Sequence, residues 1–394
     1  MTQPQTLPPG LLPALALANF AIGMGAFVAV GILTPVAQGF GLTAPQAGWV
    51  MTVYALVYAV ASPLLVAVTG AVDRRAVLLA GMAVFGLGAL GSALAPAFGV
   101  LLGARAVMAL GGGVVTPVAA AVVAGLTAPE ARGRALATVF GGLTLAQVLG
   151  VPVGAWLGYS FGWPVAFAVV AVLCGAVAVV LALRVPKGIS VPRPGLAVLG
   201  QVLRSGWRMA AVAFTVLFLG GIWCVYAFFG PLIEARLGLG RDGVSAMLVI
   251  FGLGAVAGNW LGGRLTDRIG SNRTLLLLCA AQAVLLPAVA GLSLPLPLMA
   301  VLVAGWSVCG WSFMAAQQAR LAGLDAPRAP IMLALNAAAI YVAAAIGTFG
   351  GGLALDWTGS FAALGFAGAV GVLAAGWSIF AVARAVVMQR PVSS

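Results

Sequence analysis

Apolar runs of about 20 residues, separated by short polar stretches, recur along the whole chain, and that is the length an α-helix needs to cross a bilayer. Twelve are predicted, near residues 11–35, 46–69, 77–95, 99–124, 135–159, 164–184, 209–233, 243–263, 274–292, 296–318, 330–354 and 362–386. The alternation of polar and apolar positions that marks transmembrane β-strands is missing. In lipid every backbone polar group must be satisfied internally, so helices remain as the spanning structure. The pattern predicts an all-α integral membrane protein with twelve transmembrane helices. The opening MTQPQTLPPG has no basic residue and no small-residue cleavage site follows it, so the first run reads as a retained span and not as a signal peptide.

Composition agrees with this reading. The chain of 394 residues is 63% hydrophobic and 7% charged, with a mean hydropathy of +1.16. A soluble protein of this size has too much surface to be so apolar. With the N-terminus in the cytoplasm and the spans alternating, sixteen basic residues, from Arg74 to Arg390, fall on the cytoplasmic side. Only Arg236 and Arg241 fall outside, and Arg105 lies within the fourth span. The positive-inside rule expects this asymmetry. It accounts for the net charge of +12 by facing an anionic leaflet, so no nucleic-acid partner is needed.

Other chemistry is limited by what the chain lacks. It has no histidine, which removes a His proton relay or a His-ligated metal. Cys174, Cys224, Cys279 and Cys309 fall within predicted spans and are not spaced as a metal or redox pair. No nucleophile–base pair, metal cluster or phosphate loop is evident, so neither an enzyme nor a cofactor is expected.

Internal repetition organises the rest. The stretch 184–208 is the longest polar segment and reads as a cytoplasmic linker, with 195–204 able to form a short surface helix. The expected organisation is a six-helix bundle over 1–186, a linker over 187–207 and a second six-helix bundle over 208–394. LVAVTGAVDRRAVLLAG (65–81) separates the second and third spans, and LGGRLTDRIGSNRTLLL (261–277) separates the eighth and ninth. Their aspartates, Asp73 and Asp267, stand 194 residues apart. The fifth span carries Gly150, Gly154 and Gly158, and the eleventh carries Gly347 and Gly351 at the same four-residue spacing. Two halves with the same order of features are the mark of a duplicated transporter fold. Small residues at that spacing let helix backbones approach closely.

These residues resemble the major facilitator superfamily. Gly263, Asp267, Arg268, Gly270 and Arg273 are similar to its cytoplasmic signature Gly-x-x-x-Asp-Arg-x-Gly-x-x-Arg. Gly70, Asp73, Arg74 and Arg75 look like a degenerate copy, one residue short and lacking the second glycine. LLGARAVMALGGG, around Arg105, is similar to the family's intramembrane arginine and glycine cluster. LGVPVGAWLGYSFGWPVAF, with Gly150, Pro152 and Gly154, resembles the bacterial drug:proton antiporters and their sugar and purine efflux relatives, as does LALNAAAIYVAAAIGTFGGGLALD. The resemblance covers nearly the whole chain and implies transport by alternating access, in which two halves rock around a site near the midplane. None of these motifs addresses the substrate.

Candidate functional residues fall into three groups. The first is the pair of charged loops. Asp267 can take the N-terminal end of the following helix, where a carboxylate is favoured, while Arg268 and Arg273 bond neighbouring helices. The cluster then acts as a gate latch; the alternative is a plain topological turn. The second group is Arg105, read either as a substrate or coupling contact or as a structural arginine bonded to carbonyls. The third is the set of polar and aromatic side chains within the spans. The superfamily resemblance puts the first, fourth, seventh and tenth spans around the path, which brings forward Asn19, Trp223, Tyr226, Ser307, Trp311, Gln317 and Gln318. Neighbouring spans add Tyr54, Tyr58, Gln147, Asn259, Asn336 and Tyr341. Each of these can instead make only an interhelical hydrogen bond.

The acidic residues are Asp73, Glu130, Glu234, Asp242, Asp267, Asp325 and Asp356, each expected in a loop or at a helix end. The efflux relatives often carry a glutamate in the first span, where this chain has Ala26. Glu234 and Asp356 are the remaining candidates for proton coupling. The expected function is export of a small neutral or anionic solute or drug across a bacterial inner membrane. Both termini are expected in the cytoplasm and a monomer is the expected state. An uptake carrier or facilitator, and a non-transporting receptor or assembly partner, remain open as alternatives.

Overall fold

The computed structural model describes residues 8–127, 131–189 and 196–388. Glu130, Arg193 and Arg390 lie outside this set, as does part of the expected linker. Among the described residues, twelve helices are long and apolar enough to cross a membrane: α1 Leu11–Gly31, α2 Ala44–Ala71, α3 Arg74–Ala93, α4 Phe98–Val123, α5 Arg134–Phe161, α6 Trp163–Arg184, α7 Gly206–Tyr226, α8 Arg241–Ile269, α9 Ser271–Gly291, α10 Leu296–Leu324, α11 Ile331–Thr358 and α12 Phe361–Ala385. No strand occurs among the described residues. Each predicted run corresponds to one of these helices. α8 and α10 run about one and a half turns further than their hydropathy suggests. The helix expected over 195–204 is Leu196–Leu203, with Val202 buried and Gln201 exposed.

The helix ends follow local chemistry. Thr43 accepts a hydrogen bond from the Gln46 amide and the Gln46 side chain accepts one from the Thr43 amide, a reciprocal cap that starts α2. Between α8 and α9 the chain turns on Gly270 alone, at φ 83°, which a side chain would strain. Within α5, residues Ala146–Gly150 widen into a π-turn just before Pro152. Proline has no N–H to donate and its ring crowds the preceding turn, so the ladder is interrupted there.

The backbone divides into two compact units, Met1–Arg193 with Leu239–Val249 and Pro194–Gly238 with Ile250–Ser394. In the first unit, Gly150, Gly154 and Gly158 of α5 lie against Met24, Val28 and Ile32 of α1, the same four-residue register on both helices. A methyl group at Gly150 would sit 3.1 Å from the Met24 side chain, and one at Gly154 would collide with Val28. In the second unit, Gly347 and Gly351 of α11 lie against Gly220, Trp223 and Cys224 of α7, where a methyl at Gly351 would sit 2.6 Å from the Cys224 carbonyl oxygen. Glycine thus sets the approach of α5 to α1 and of α11 to α7. α1, α4 and α7 are the most enclosed spans. Val172 and Leu183 on α6, Val284 on α9, and Val370 and Trp377 on α12 remain exposed, as lipid-facing side chains must be.

Candidate functional site

Among the described residues three arginines are buried, Arg74 at the start of α3, Arg105 inside α4 and Arg320 in the last turns of α10. Arg105 on α4 is fully buried. Its Nη1 donates to the Gly25 carbonyl at 2.6 Å, Nη2 to the Ala26 carbonyl at 3.0 Å and Nε to the Val50 carbonyl at 3.2 Å. The group also stands over the Tyr54 ring, 4.4 Å from its centroid. One side chain therefore ties α1, α2 and α4, and each of its three nitrogens is engaged. These are the bonds of an arginine held by main-chain carbonyls. The bare carbonyls at 25 and 26 serve this bond equally well whatever side chain they carry, so Ala26 fits here.

The other polar candidates of the first unit lie nearby or apart. Tyr54 and Tyr58 share a face of α2 with ring centroids 6.1 Å apart, and the buried Tyr54 hydroxyl has no hydrogen-bond partner among the described residues. Asn19 donates to the Val139 carbonyl at 3.1 Å, joining α1 to α5, while its Oδ1 is buried without a partner. Gln147 is buried in the π-turn of α5.

In the second unit, Trp223 and Tyr226 belong to a larger aromatic cluster. Tyr226 stacks on Phe251 at 4.4 Å, and Trp306 and Phe229 close around the pair. The Trp306 Nε1 is buried with no partner among the described residues. The cluster is framed by polar bonds: Ser307 donates to the Phe251 carbonyl at 2.5 Å and Gln282 to the Trp306 carbonyl at 2.9 Å. Toward the other end of α7, Thr215 donates to Asn336 Oδ1 at 2.5 Å, and Gln317 Nε2 reaches the Ala211 carbonyl at 2.8 Å and Asn336 Oδ1 at 3.5 Å. Arg320 joins this group through Gln317 Oε1 at 3.5 Å. Gln318 is exposed, and Trp311, Asn259 and Tyr341 are half-buried.

Sequence reasoning assigned Arg320 to a cytoplasmic loop. Because α10 continues to Leu324, Arg320 is instead inside a span and only 4% exposed. Phe251, Trp306, Phe229 and Thr215 were also missed. The spacing of Gln317 and Arg320, three apart on one helical face, was the available signal for the arginine.

The two charged loops differ. In the first, Asp73 Oδ1 accepts from the Gly188 amide at 3.0 Å, and the Arg74 amide donates to the Ile189 carbonyl at 3.3 Å. The Arg74 side chain is buried and bonds the Thr69 and Gly70 carbonyls at 3.3 and 3.0 Å. In the second, Asp267 and Arg268 lie in the last turn of α8, and with Arg273 all three are exposed. Asp267 does not cap α9 as expected: the cap position is Gly270 and no side chain bonds there. The residue belongs instead to the last turn of the preceding helix. Gly263 is half-buried, with open space beside it. Of the coupling candidates, Glu234 is half-buried in the helix Phe229–Leu237 and Asp356 is exposed near the end of α11.

Twelve helical spans in two units, glycine-tight pairs and charge concentrated at the short turns define a polytopic helical membrane protein of the carrier type. Comparison with known proteins makes this specific. The description Major Facilitator Superfamily matches residues 15–347, and the chain belongs to that superfamily. It is 30% identical over 366 residues to an uncharacterized MFS-type transporter, YbcL, of Bacillus subtilis, covering 92% of each chain. It is 32% identical over 258 residues to a chloramphenicol resistance protein of Streptomyces lividans, covering 64% of this chain and 66% of that one. Among solved structures, an inward-facing, occupied bacterial homolog of the human lysosomal transporter Spinster matches with a TM-score of 0.78 at 15% identity over the full length of both chains. The chain is thus a bacterial multi-pass membrane transporter and not an enzyme. It carries a small solute across the membrane by alternating access.

Proposed function

We propose that this transporter exports a small neutral or anionic solute rich in hydrogen-bond acceptors from the bacterial cytoplasm. It acts as a monomer in the inner membrane with both termini on the cytoplasmic side. The observation that carries the reading is the sign of the buried charge. Among the described residues the buried charged residues are Arg74, Arg105 and Arg320, and the enclosed carboxylate of Asp325, its side chain 8% exposed, is already bound to Arg208 and Arg328. In a low-dielectric interior an excess of positive charge favours anions and acceptor-rich neutral molecules and opposes cations. The aromatic cluster around Tyr226 and Trp306 supplies an apolar face of the kind such solutes need. The likeness to a chloramphenicol resistance protein, whose namesake drug is neutral and acceptor-rich, points the same way.

Transport proceeds by rocking of the halves 1–186 and 208–394, joined by the segment 187–207, with the loop at Gly263–Arg273 acting as the cytoplasmic gate. The repeated aspartate–arginine pair and the matched glycine faces support this division. Where transport is proton-coupled, Glu234 and Asp356 are the groups to carry it, and the half-burial of Glu234 makes it the better placed. The test is a sealed-vesicle assay with an imposed pH gradient and a panel of chloramphenicol, a sugar, a nucleobase, an organic acid and ethidium. Efflux of one of the neutral or anionic solutes, with ethidium not moved, is the expected result. Gradient-driven ethidium efflux alone contradicts the substrate class, and movement only in the opposite direction contradicts export.

A further inference from the structure

Among the described residues Arg320 is a buried cation inside a span with a nitrogen left unbonded. It sits in the last turns of α10, 4% exposed, with the face of Phe214 at 5.7 Å. Its one hydrogen bond is the long contact from Nη1 to Gln317 Oε1, 3.5 Å, and its buried Nη2 has no partner among the described residues. Arg105, by contrast, has all three nitrogens on carbonyl oxygens. The nearest acid along α10, Asp325, is already engaged by Arg208 at 2.7 Å and Arg328 at 3.4 Å, and no described carboxylate pairs with Arg320.

The amides around Arg320 are bonded to one another and to the main chain. Asn336 Oδ1 accepts from Thr215 and from Gln317 Nε2, which orients its amide so that Nδ2 is its remaining donor. Gln317 Nε2 is turned to the Ala211 carbonyl and its Oε1 to Arg320. Arg320 and Asn336 therefore bond the two ends of the same Gln317 amide, and Arg320 Nη2 keeps its hydrogens unspent. Beside them Phe214 stacks on Phe218, with ring centroids 5.6 Å apart, and Phe218 lies against Phe313. A planar fork of donors at the edge of stacked rings matches a carboxylate on an aromatic body.

We infer that Arg320, with Gln317 and Asn336, forms an acceptor subsite in the second unit that takes the carboxylate of an aromatic acid. The inference rests on the reading of this chain as a carrier of acceptor-rich solutes and names the class that subsite selects. One carboxylate oxygen accepts from Arg320 Nη2 and the other from Asn336 Nδ2, and the ring packs along Phe214.

The test is calorimetric binding of benzoate to the purified protein in lipid nanodiscs, with benzyl alcohol as the matched ring lacking a carboxylate. Wild type is expected to bind benzoate more tightly than benzyl alcohol. Arg320→Gln should weaken benzoate at least about tenfold, as loss of a charge-assisted bond does, and leave benzyl alcohol unchanged. Asn336→Asp supplies an internal carboxylate to the guanidinium. It should abolish benzoate binding and raise the thermal midpoint, an outcome that also guards against misfolding of Arg320→Gln. Unchanged benzoate affinity in either variant, or no benzoate binding by wild type, overturns the inference. Failure of the transport reading would show separately, as wild-type vesicles that move no solute, because this subsite is read by binding alone.

Discussion

The two units share a packing plan and differ in how they treat charge. In the first, Arg105 has every nitrogen bonded, and Asp73 and Arg74 are fastened to residues 188 and 189 and to the turn before α3. In the second, Arg320 keeps a free Nη2, and Asp267, Arg268 and Arg273 stand exposed. The glycine faces, on the other hand, are alike: α5 lies on α1 as α11 lies on α7. The lesson is that duplicated motifs can keep one geometry and separate their chemistry. The complete signature is the exposed one, and the degenerate copy is the one that has become a structural joint.

The largest expected effect tests the shared part. Gly154→Leu and Gly351→Leu should each abolish transport, because a bulky side chain pushes apart helices whose backbones depend on small residues for their close approach. Vesicle transport and membrane yield of the two variants should be equally poor. Normal transport by one of them would break the equivalence of the faces.

Next come the buried arginines. Arg105→Ala removes three charge-assisted bonds across three spans and should cost about 3 kcal/mol or more of stability, with most transport lost. Arg105→Lys should restore this only in part, since lysine lacks the fork. Arg320→Ala removes a charge that lacks a full set of partners, so thermal stability should hold or rise. Thermal unfolding in detergent would separate the two, and equal losses would erase the contrast.

The loops give the smallest effects. Arg74→Ala should lower stability by about 1–2 kcal/mol through lost buried bonds. Arg268→Ala and Asp267→Asn should change stability by less than about 0.5 kcal/mol, as exposed substitutions do, yet slow transport. Wild-type transport rates in both would reduce the second loop to a topological turn.

The spans were legible because crossing a bilayer demands an uninterrupted apolar length, and that demand is written residue by residue. The glycine spacing was legible for the same reason, although nothing local revealed that Met24, Val28 and Ile32 are its counterpart. Charge misled at the helix ends. Arg264 and Asp267 lower the hydropathy, so α8 seemed to stop near 263, whereas helix continues until Gly270 permits the turn. The same effect hid Arg320, which is buried beside Phe214 of α7, a residue more than a hundred positions away in sequence. Arg105 stood out as an isolated charge, but its partners are main-chain carbonyls, which no side-chain pattern records.

Those carbonyls have a consequence for biogenesis. An arginine entering the bilayer core alone costs about 3 kcal/mol even by the lenient insertion scales. α4 leaves the ribosome after α1 and α2, which already carry the carbonyls of Gly25, Ala26 and Val50 that Arg105 requires. The fourth span can thus be handed from the translocon directly to earlier helices, and its charge need never face lipid unaccompanied. Order of synthesis becomes part of how this chain tolerates its most deeply placed cation.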